Sequence, residues 1–234
     1  VNLRRACEYA MAGSITNRAE IESFITGREY GAESIVINGE IHVLGIMQKW
    51  MTAPPYYAEL GHALPNDLKS DVEDKVENCV KNAIKALGVN HGSVLITPNG
   101  KVYIIDVGAR MGGNMIGPCV IPYGTGVDYI AAMLQNAVGD KVDLSEKKHS
   151  CVATKLLAFE EGIVKNLPEI KKIEETFDVE IYHHLKEGMK VNEYHTNLDG
   201  CGYIVARAEN SKKAVEKAER VLGYFKKTIF EEEI

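Results

Sequence analysis

The run from Val102 to Asn114 constrains this chain more than any other segment. Four residues of strand-forming character, Val102 to Ile105, deliver Asp106 to a strand end; Arg110 follows four positions later, and then the Gly112-Gly113 pair, where backbone can approach a ligand closely. A buried strand is a rigid mount, so the carboxylate and the guanidinium are held at its C-terminal edge. A carboxylate suits a divalent cation and a guanidinium suits phosphate oxygens, which together are the chemistry of a magnesium–nucleotide site. By itself the same pair could equally be an ion pair capping a turn.

Composition narrows the choices. The chain has 234 residues, 45% hydrophobic and 26% charged, with a formal net charge of −6. That is enough for one substantial domain or two small ones. The negative balance argues against nucleic acid as the main partner. No apolar stretch reaches membrane-spanning length and none has the form of a signal peptide. Cys7, Cys79, Cys119, Cys151 and Cys201 are scattered and odd in number, which fits free thiols in a reducing cytoplasm better than a disulfide frame or a zinc site. The first residue is Val1, so the chain is expected to begin inside a longer polypeptide.

Patterning predicts a helix over Leu3–Met11 and a short strand over Ala19–Ile25. A hairpin is expected from Glu33–Asn38 and Glu40–Gln48 around Asn38-Gly39, a dipeptide suited to a type I′ turn. A loop then runs through Pro54-Pro55-Tyr56-Tyr57 to Pro65. Asp67–Leu87 is the clearest helix: Val72, Val76, Val80, Ile84 and Leu87 recur at helical spacing, and Gly88 ends it. A second hairpin is expected over Val94–Thr97 and Lys101–Val107, turning at Pro98-Asn99-Gly100, followed by a helix over Val127–Val138. The polar stretch Leu144–His149 reads as a linker. Beyond it come strands over Cys151–Phe159, Glu180–His184 and Gly202–Ala208, and a helix over Ser211–Lys227.

Four segments in this order carry a resemblance: Ala19–Glu29, Ile46–Lys49, Pro54–Pro65 and Ile104–Gly113. Together they resemble the ATP-grasp superfamily, which includes carboxylate–amine ligases, biotin carboxylase and carbamoyl phosphate synthetase. The resemblance implies an α+β chain, with the later part of an ATP-grasp fold over residues 1–143 and a small α+β C-terminal domain over 150–234. It implies Mg²⁺ and ATP as cofactors and small-molecule carboxylate and amine substrates. The expected reaction is ligation through an acyl phosphate, with release of ADP and phosphate, in the cytoplasm. Neither nucleic acid nor membrane is an expected partner, and the oligomeric state is not fixed, a homodimer included.

Residue by residue, the resemblance places the backbone of Ser23 and Ile25 against the adenine edge, with the Glu22 side chain near the amino group. Glu29 would accept from ribose hydroxyls. Asp106 would bridge the metal, and Arg110 would stabilise the transferred phosphate. Lys49 sits where members place a cation near the substrate carboxylate or the γ-phosphate. Glu59 and His62 lie in a loop whose counterpart borders the acceptor, Glu59 as a substrate contact and His62 in catalysis. Asn114, also assigned to substrate, stands where a biotin carboxylase would carry a glutamate.

Departures are visible too. A second metal carboxylate is expected about a dozen residues before Asp106; counting back reaches Val94, and no acid is there. Gly108 occupies the place of a metal-binding asparagine. The strand after Gly92 looks short, which suggests residues missing between Gly92 and Leu95, since truncation would leave the partner strand half unpaired. No glycine-rich phosphate loop and no strand lysines for the α- and β-phosphates are present. Two further readings therefore stand beside the ligase: a bicarbonate-activating carboxylase or carbamoyl-phosphate-type enzyme, and a degenerate nucleotide-binding module without catalysis.

Overall fold

A computed structural model describes residues 2–88, 91–96, 100–147 and 149–230, with residues 91–96 described in their backbone course alone. The chain is α+β. Among the described residues its centre is an eight-stranded sheet, antiparallel throughout.

α1 (Leu3–Gly13) is capped by the Asn2 side chain, which accepts from the Arg4 N–H at 3.1 Å. The expected strand over Ala19–Ile25 does not form: the segment runs irregularly and mostly exposed, with no neighbouring strand among the described residues to receive its backbone groups. β1 (Arg28–Ile37) and β2 (Glu40–Met51) make the predicted hairpin, both longer than expected. Asn38 and Gly39 take φ of 50° and 83°, the left-handed pair a type I′ turn needs.

Glu59–Leu64, expected as loop, is the strand β3, paired with β2 on one side and β6 on the other. Its sequence has no β-branched residue and contains a glycine, so propensity concealed it; two flanking strands impose it. α2 (Ser70–Leu87) begins three residues later than predicted because Asp67 is engaged elsewhere. Its carboxylate accepts from Arg28 Nη1 at 2.7 Å and from the Tyr30 hydroxyl at 2.8 Å. Val76, Val80 and Ile84 of α2 pack on Tyr30, Ala32 and Ile46, and Gly88 closes the helix at φ 67°.

β4 (His91–Ile96) lies between β1 and β5 (Val102–Gly108). Its ladder to β5 runs from His91 opposite Gly108 to Ile96 opposite Val102, so β5 is not left half unpaired, and that reason for expecting missing residues falls away. An irregularity at Ser93/Val94 sets Ser93, not Val94, opposite Asp106. The expected turn at Pro98-Asn99-Gly100 lies largely outside the described residues.

A π-helical turn (Ile116–Val120) runs into α3 (Ile121–Thr125), and α4 (Tyr129–Val138) follows; neither of the first two was predicted. They cover the other face of β1–β3 through Ile35, Met47 and Leu64. After the stretch proposed as linker, β6 (Cys151–Leu156) joins the same sheet beside β3, and β10 (Gly202–Ala208) and β8 (Val179–His183) extend it. A two-residue pair, β7 (Gly162–Ile163) with β9 (Lys190–Val191), and α5 (Ile170–Phe177) complete this part. α6 (Ser211–Thr228) buries Ala218, Val221 and Phe225 against Ile204 and Ile173. No helix among the described residues is long and apolar enough to cross a membrane.

Candidate functional site

Two adjoining hollows lie along one side of the sheet. The larger, about 760 Å³, is lined by Glu22–Gly27, by Lys49 to Thr52, and by Ile104 and Ile105. The smaller, about 260 Å³, is lined by Glu59, His62, Asp106, Arg110, Gly112–Asn114 and Asn197. Glu29 and Lys49 line both, so the hollows meet at that ion pair. All ten residues singled out in the sequence therefore border this continuous cleft. The roles assigned to them are a separate matter.

Lys49 is at the junction. It projects from β2 with only 6% of its side chain exposed, and its Nζ lies 2.6 Å from Glu29 Oε1 and 2.6 Å from Glu59 Oε1. Burial alone would lower the ammonium pKa, but the two carboxylates outweigh it and hold it above 10.5. Burial would likewise raise the Glu59 carboxyl; Lys49, His62 and hydrogen bonds outweigh that and hold it below its usual range. The ammonium that sequence reasoning directs at the substrate carboxylate or the γ-phosphate is thus bound by two carboxylates of the chain itself.

Glu59 and His62 sit on β3 rather than in a loop, and His62 is 1% exposed. β3 pairs with β6, and the His62 N–H donates in addition to Thr154 Oγ1 of β6 at 3.2 Å. Asp106 and Arg110 are more open. The expected buried strand end is not what carries them: β5 runs two residues past Asp106 to Gly108 and buries none of its residues, and Arg110 lies in the bend after it, donating from Nη1 to its neighbour's carbonyl, Met111 O, at 3.0 Å.

Sequence reasoning missed the C-terminal contribution. Asn114 donates to Glu59 and accepts from the Tyr203 hydroxyl at 3.0 Å. Asn197 donates to Glu59 Oε2 at 3.4 Å, and the Tyr194 hydroxyl is shared between the Glu59 carbonyl and Asn197 Oδ1. Burial raises the phenol pKa of both tyrosines, so they act as neutral donors. Below the larger hollow, Lys155 lies 4.6 Å from the centre of the Trp50 ring and 3.0 Å from Glu219, which fixes the indole from beneath. No local motif marks these residues; Tyr203 and Lys155 arrive from strands β10 and β6, Tyr194 and Asn197 from the connection before β10. Glu33, also missed, lies behind the smaller hollow, bonded to Gly112 and Tyr129. The available signal was a glutamate two residues before the apolar run Ile35–Ile37 of a strand expected to be half buried.

Residues 3–118 match the family model of the ATP-grasp domain. With the fold, this shows that the chain carries an ATP-grasp domain over those residues. No curated protein matches. Among solved structures, phosphoribosylglycinamide synthetase from Anaerococcus prevotii is 22% identical, with a TM-score of 0.70 over 92% of this chain and 57% of its own. L-amino acid ligase from Bacillus licheniformis is 22% identical, with a TM-score of 0.74 over 86% of this chain and 53% of its own. Biotin carboxylase from Campylobacter jejuni, solved with a β,γ-ATP ligand, is 19% identical, with a TM-score of 0.67 over 92% of this chain and 50% of its own. At these identities the likeness is one of fold. The chain spans about half the length of these structures.

Proposed function

We propose that this chain supplies the metal, γ-phosphate and acceptor side of an ATP-dependent carboxylate–amine ligase. The observation that carries the reading is the meeting of Asp106, Arg110, Lys49, Glu59 and Asn114 in one polar hollow that opens, across Glu29, into a larger cleft. The larger cleft suits a nucleoside: Glu22, Ser23 and Ile25 offer backbone and carboxylate to an adenine edge, and Glu29 has an oxygen besides Oε1 for ribose hydroxyls. One structural neighbour, the biotin carboxylase domain of Hydrogenobacter thermophilus 2-oxoglutarate carboxylase, was solved in complex with MgADP, ADP and bicarbonate.

The donor set fits Mg²⁺. Among the described residues no group of three or more His, Cys, Asp or Glu could hold a metal. Mg²⁺ commonly takes one or two carboxylates and completes its shell with phosphate oxygens and water, so Asp106 would hold it together with the nucleotide. When bound, the ion would offset negative charge on the phosphates.

In the proposed reaction a substrate carboxylate oxygen attacks the γ-phosphorus, and the bond from that phosphorus to the ADP oxygen breaks. The acyl phosphate then meets an amine. Its nitrogen attacks the acyl carbon, the carbon–oxygen bond to phosphate breaks, and the nitrogen sheds a proton. Arg110 offers a planar, permanently charged set of donors to the phosphate oxygens through both steps. Glu59 and Asn114 border the space for the amine, and the Lys49 bridge keeps Glu59 ionised.

One observation favours a second reading, nucleotide binding without turnover: the residue opposite Asp106 is Ser93, so the strand pair offers one acid at that level. Screening ADP release across amino acids, small carboxylates and bicarbonate separates the readings. ADP formed only when an acid and an amine are both present supports the ligase. Turnover with bicarbonate alone points to a carboxylase-type reaction, and MgADP binding without turnover to the second reading. A protein that shows neither binding nor turnover would overturn all of them.

A further inference from the structure

Glu33 is fully buried, in the middle of β1, on the face of that strand shared with Ile35. It lines neither hollow. Its Oε2 accepts from the Gly112 N–H at 3.0 Å, and its Oε1 from the Tyr129 hydroxyl at 2.7 Å. The Tyr129 oxygen is also 3.2 Å from the Ser34 carbonyl, so the phenol is fixed from two sides. Gly112 is two residues from Arg110 and two from Asn114, the residues that the ligase reading sets against phosphate and acceptor.

The segment needs such an anchor. Asn114 and Met115 both take positive φ, 51° and 62°, and two consecutive left-handed non-glycine residues are held only where the surroundings over-determine them. On the C-terminal side the ties are Asn114 to Glu59 and Tyr203. On the N-terminal side the described tie is Gly112 to Glu33. Behind it, Met111 packs against Gly117, where a Cβ would overlap the methionine sulfur. A carboxylate removed from water is costly unless its oxygens are satisfied, and here they are satisfied by a backbone N–H of the segment and by α4.

We infer that Glu33 is a positioning residue: with Tyr129 it anchors the 110–114 segment through the Gly112 N–H and so sets where Arg110 stands. The importance of that placement for turnover rests on the ligase reading above; the anchoring itself does not. Glu33→Gln retains an oxygen for the Gly112 N–H. Its amide can donate to the Tyr129 oxygen, which then turns its proton to Ser34. Glu33→Leu retains no acceptor.

The test uses the full natural polypeptide and three readouts. Native trypsin cleavage after Arg110, followed by mass spectrometry, should speed up about tenfold in Glu33→Leu and stay near wild type in Glu33→Gln, because the reaction reports local opening of the segment. Amide hydrogen exchange at Gly112 in the wild type should be slow, which needs no variant to fold. Steady-state ADP release should lose about 100-fold in kcat in Glu33→Leu with KM for ATP nearly unchanged, and Glu33→Gln should recover most of it. Equal trypsin rates in all three proteins, or a Gly112 amide that exchanges like an open loop, would overturn the inference. A wild type that never releases ADP would remove the ligase reading, while cleavage and exchange still decide the anchoring.

Discussion

The ammonium of Lys49 lies 2.6 Å from a carboxylate oxygen of Glu29 and equally close to one of Glu59. One cation thus ties the wall of the nucleoside-sized cleft to the wall of the polar hollow. Removing it leaves two largely buried carboxylates facing each other without a counter-charge. Lys49→Met should therefore destabilise the fold by about 3 kcal/mol, within the range for losing one partner of a buried ion pair. Urea denaturation measures this. A midpoint unchanged from wild type would mean that solvent already screens the trio.

The same trio sets a pH window. Glu59 titrates below its ordinary 4.5 in the folded chain, so the stability it contributes is complete above 4.5 and drains away as pH falls through the lowered value. Lys49 titrates above its ordinary 10.5, so its contribution is complete below 10.5 and drains away as pH rises through the raised value. The stability difference between wild type and Lys49→Met should hence be flat through neutral pH and shrink at both extremes. Thermal melts taken across the range check it.

Asp106 and Arg110 are exposed and support no core, so their loss should be felt in chemistry. Asp106→Asn and Arg110→Ala should each lower ADP release by about 100-fold or more, as removal of a transition-state charge contact does, with melting temperature close to wild type. Activity within about tenfold, roughly 1.4 kcal/mol of barrier, would show that another group holds the phosphate.

Gly61, between Glu59 and His62 on β3, has φ 155°, and a Cβ there would overlap the Thr154 carbonyl of β6. Gly61→Ala should force β3 and β6 apart and cost about 2 kcal/mol or more, the scale of a backbone clash in a core. Chemical denaturation would reveal it; a near-neutral result would mean that the two strands can shift without loss.

Tyr203→Phe deletes the donor to Asn114 and leaves the ring packed. It should cost only about 1 kcal/mol of stability, the usual worth of one hydrogen bond. The kinetic effect should fall on the amine rather than on ATP. Separate KM measurements for the two substrates decide it, and an equal rise in both would place Asn114 outside the acceptor side.

Much of this was legible locally. Asn38-Gly39 specified a hairpin because only that backbone geometry suits its strands, and the helical recurrence of Val76, Val80 and Ile84 specified α2 because an apolar stripe must be buried. Asp106 and Arg110 were readable for the same reason: a short segment carries both their spacing and their mount. The strand expected at Ala19–Ile25 failed because a strand requires a neighbour, and among the described residues none is beside it. β3 was hidden because its pairing is contributed by β2 and β6, not by its own composition.

The sequence by itself determined that a carboxylate at 106, a guanidinium at 110 and a glycine pair follow one another closely, and most of the local elements around them, since periodicity and turn chemistry act over a few residues. Only the tertiary structure decided that Lys49 is occupied by two carboxylates and that Glu59 is a strand residue. It alone brought Tyr194, Asn197 and Tyr203 to the wall of the hollow, and Glu33 beneath Gly112. Those relationships depend on register across an eight-stranded sheet whose order departs from chain order, and no short stretch of sequence encodes a partner more than a hundred residues away.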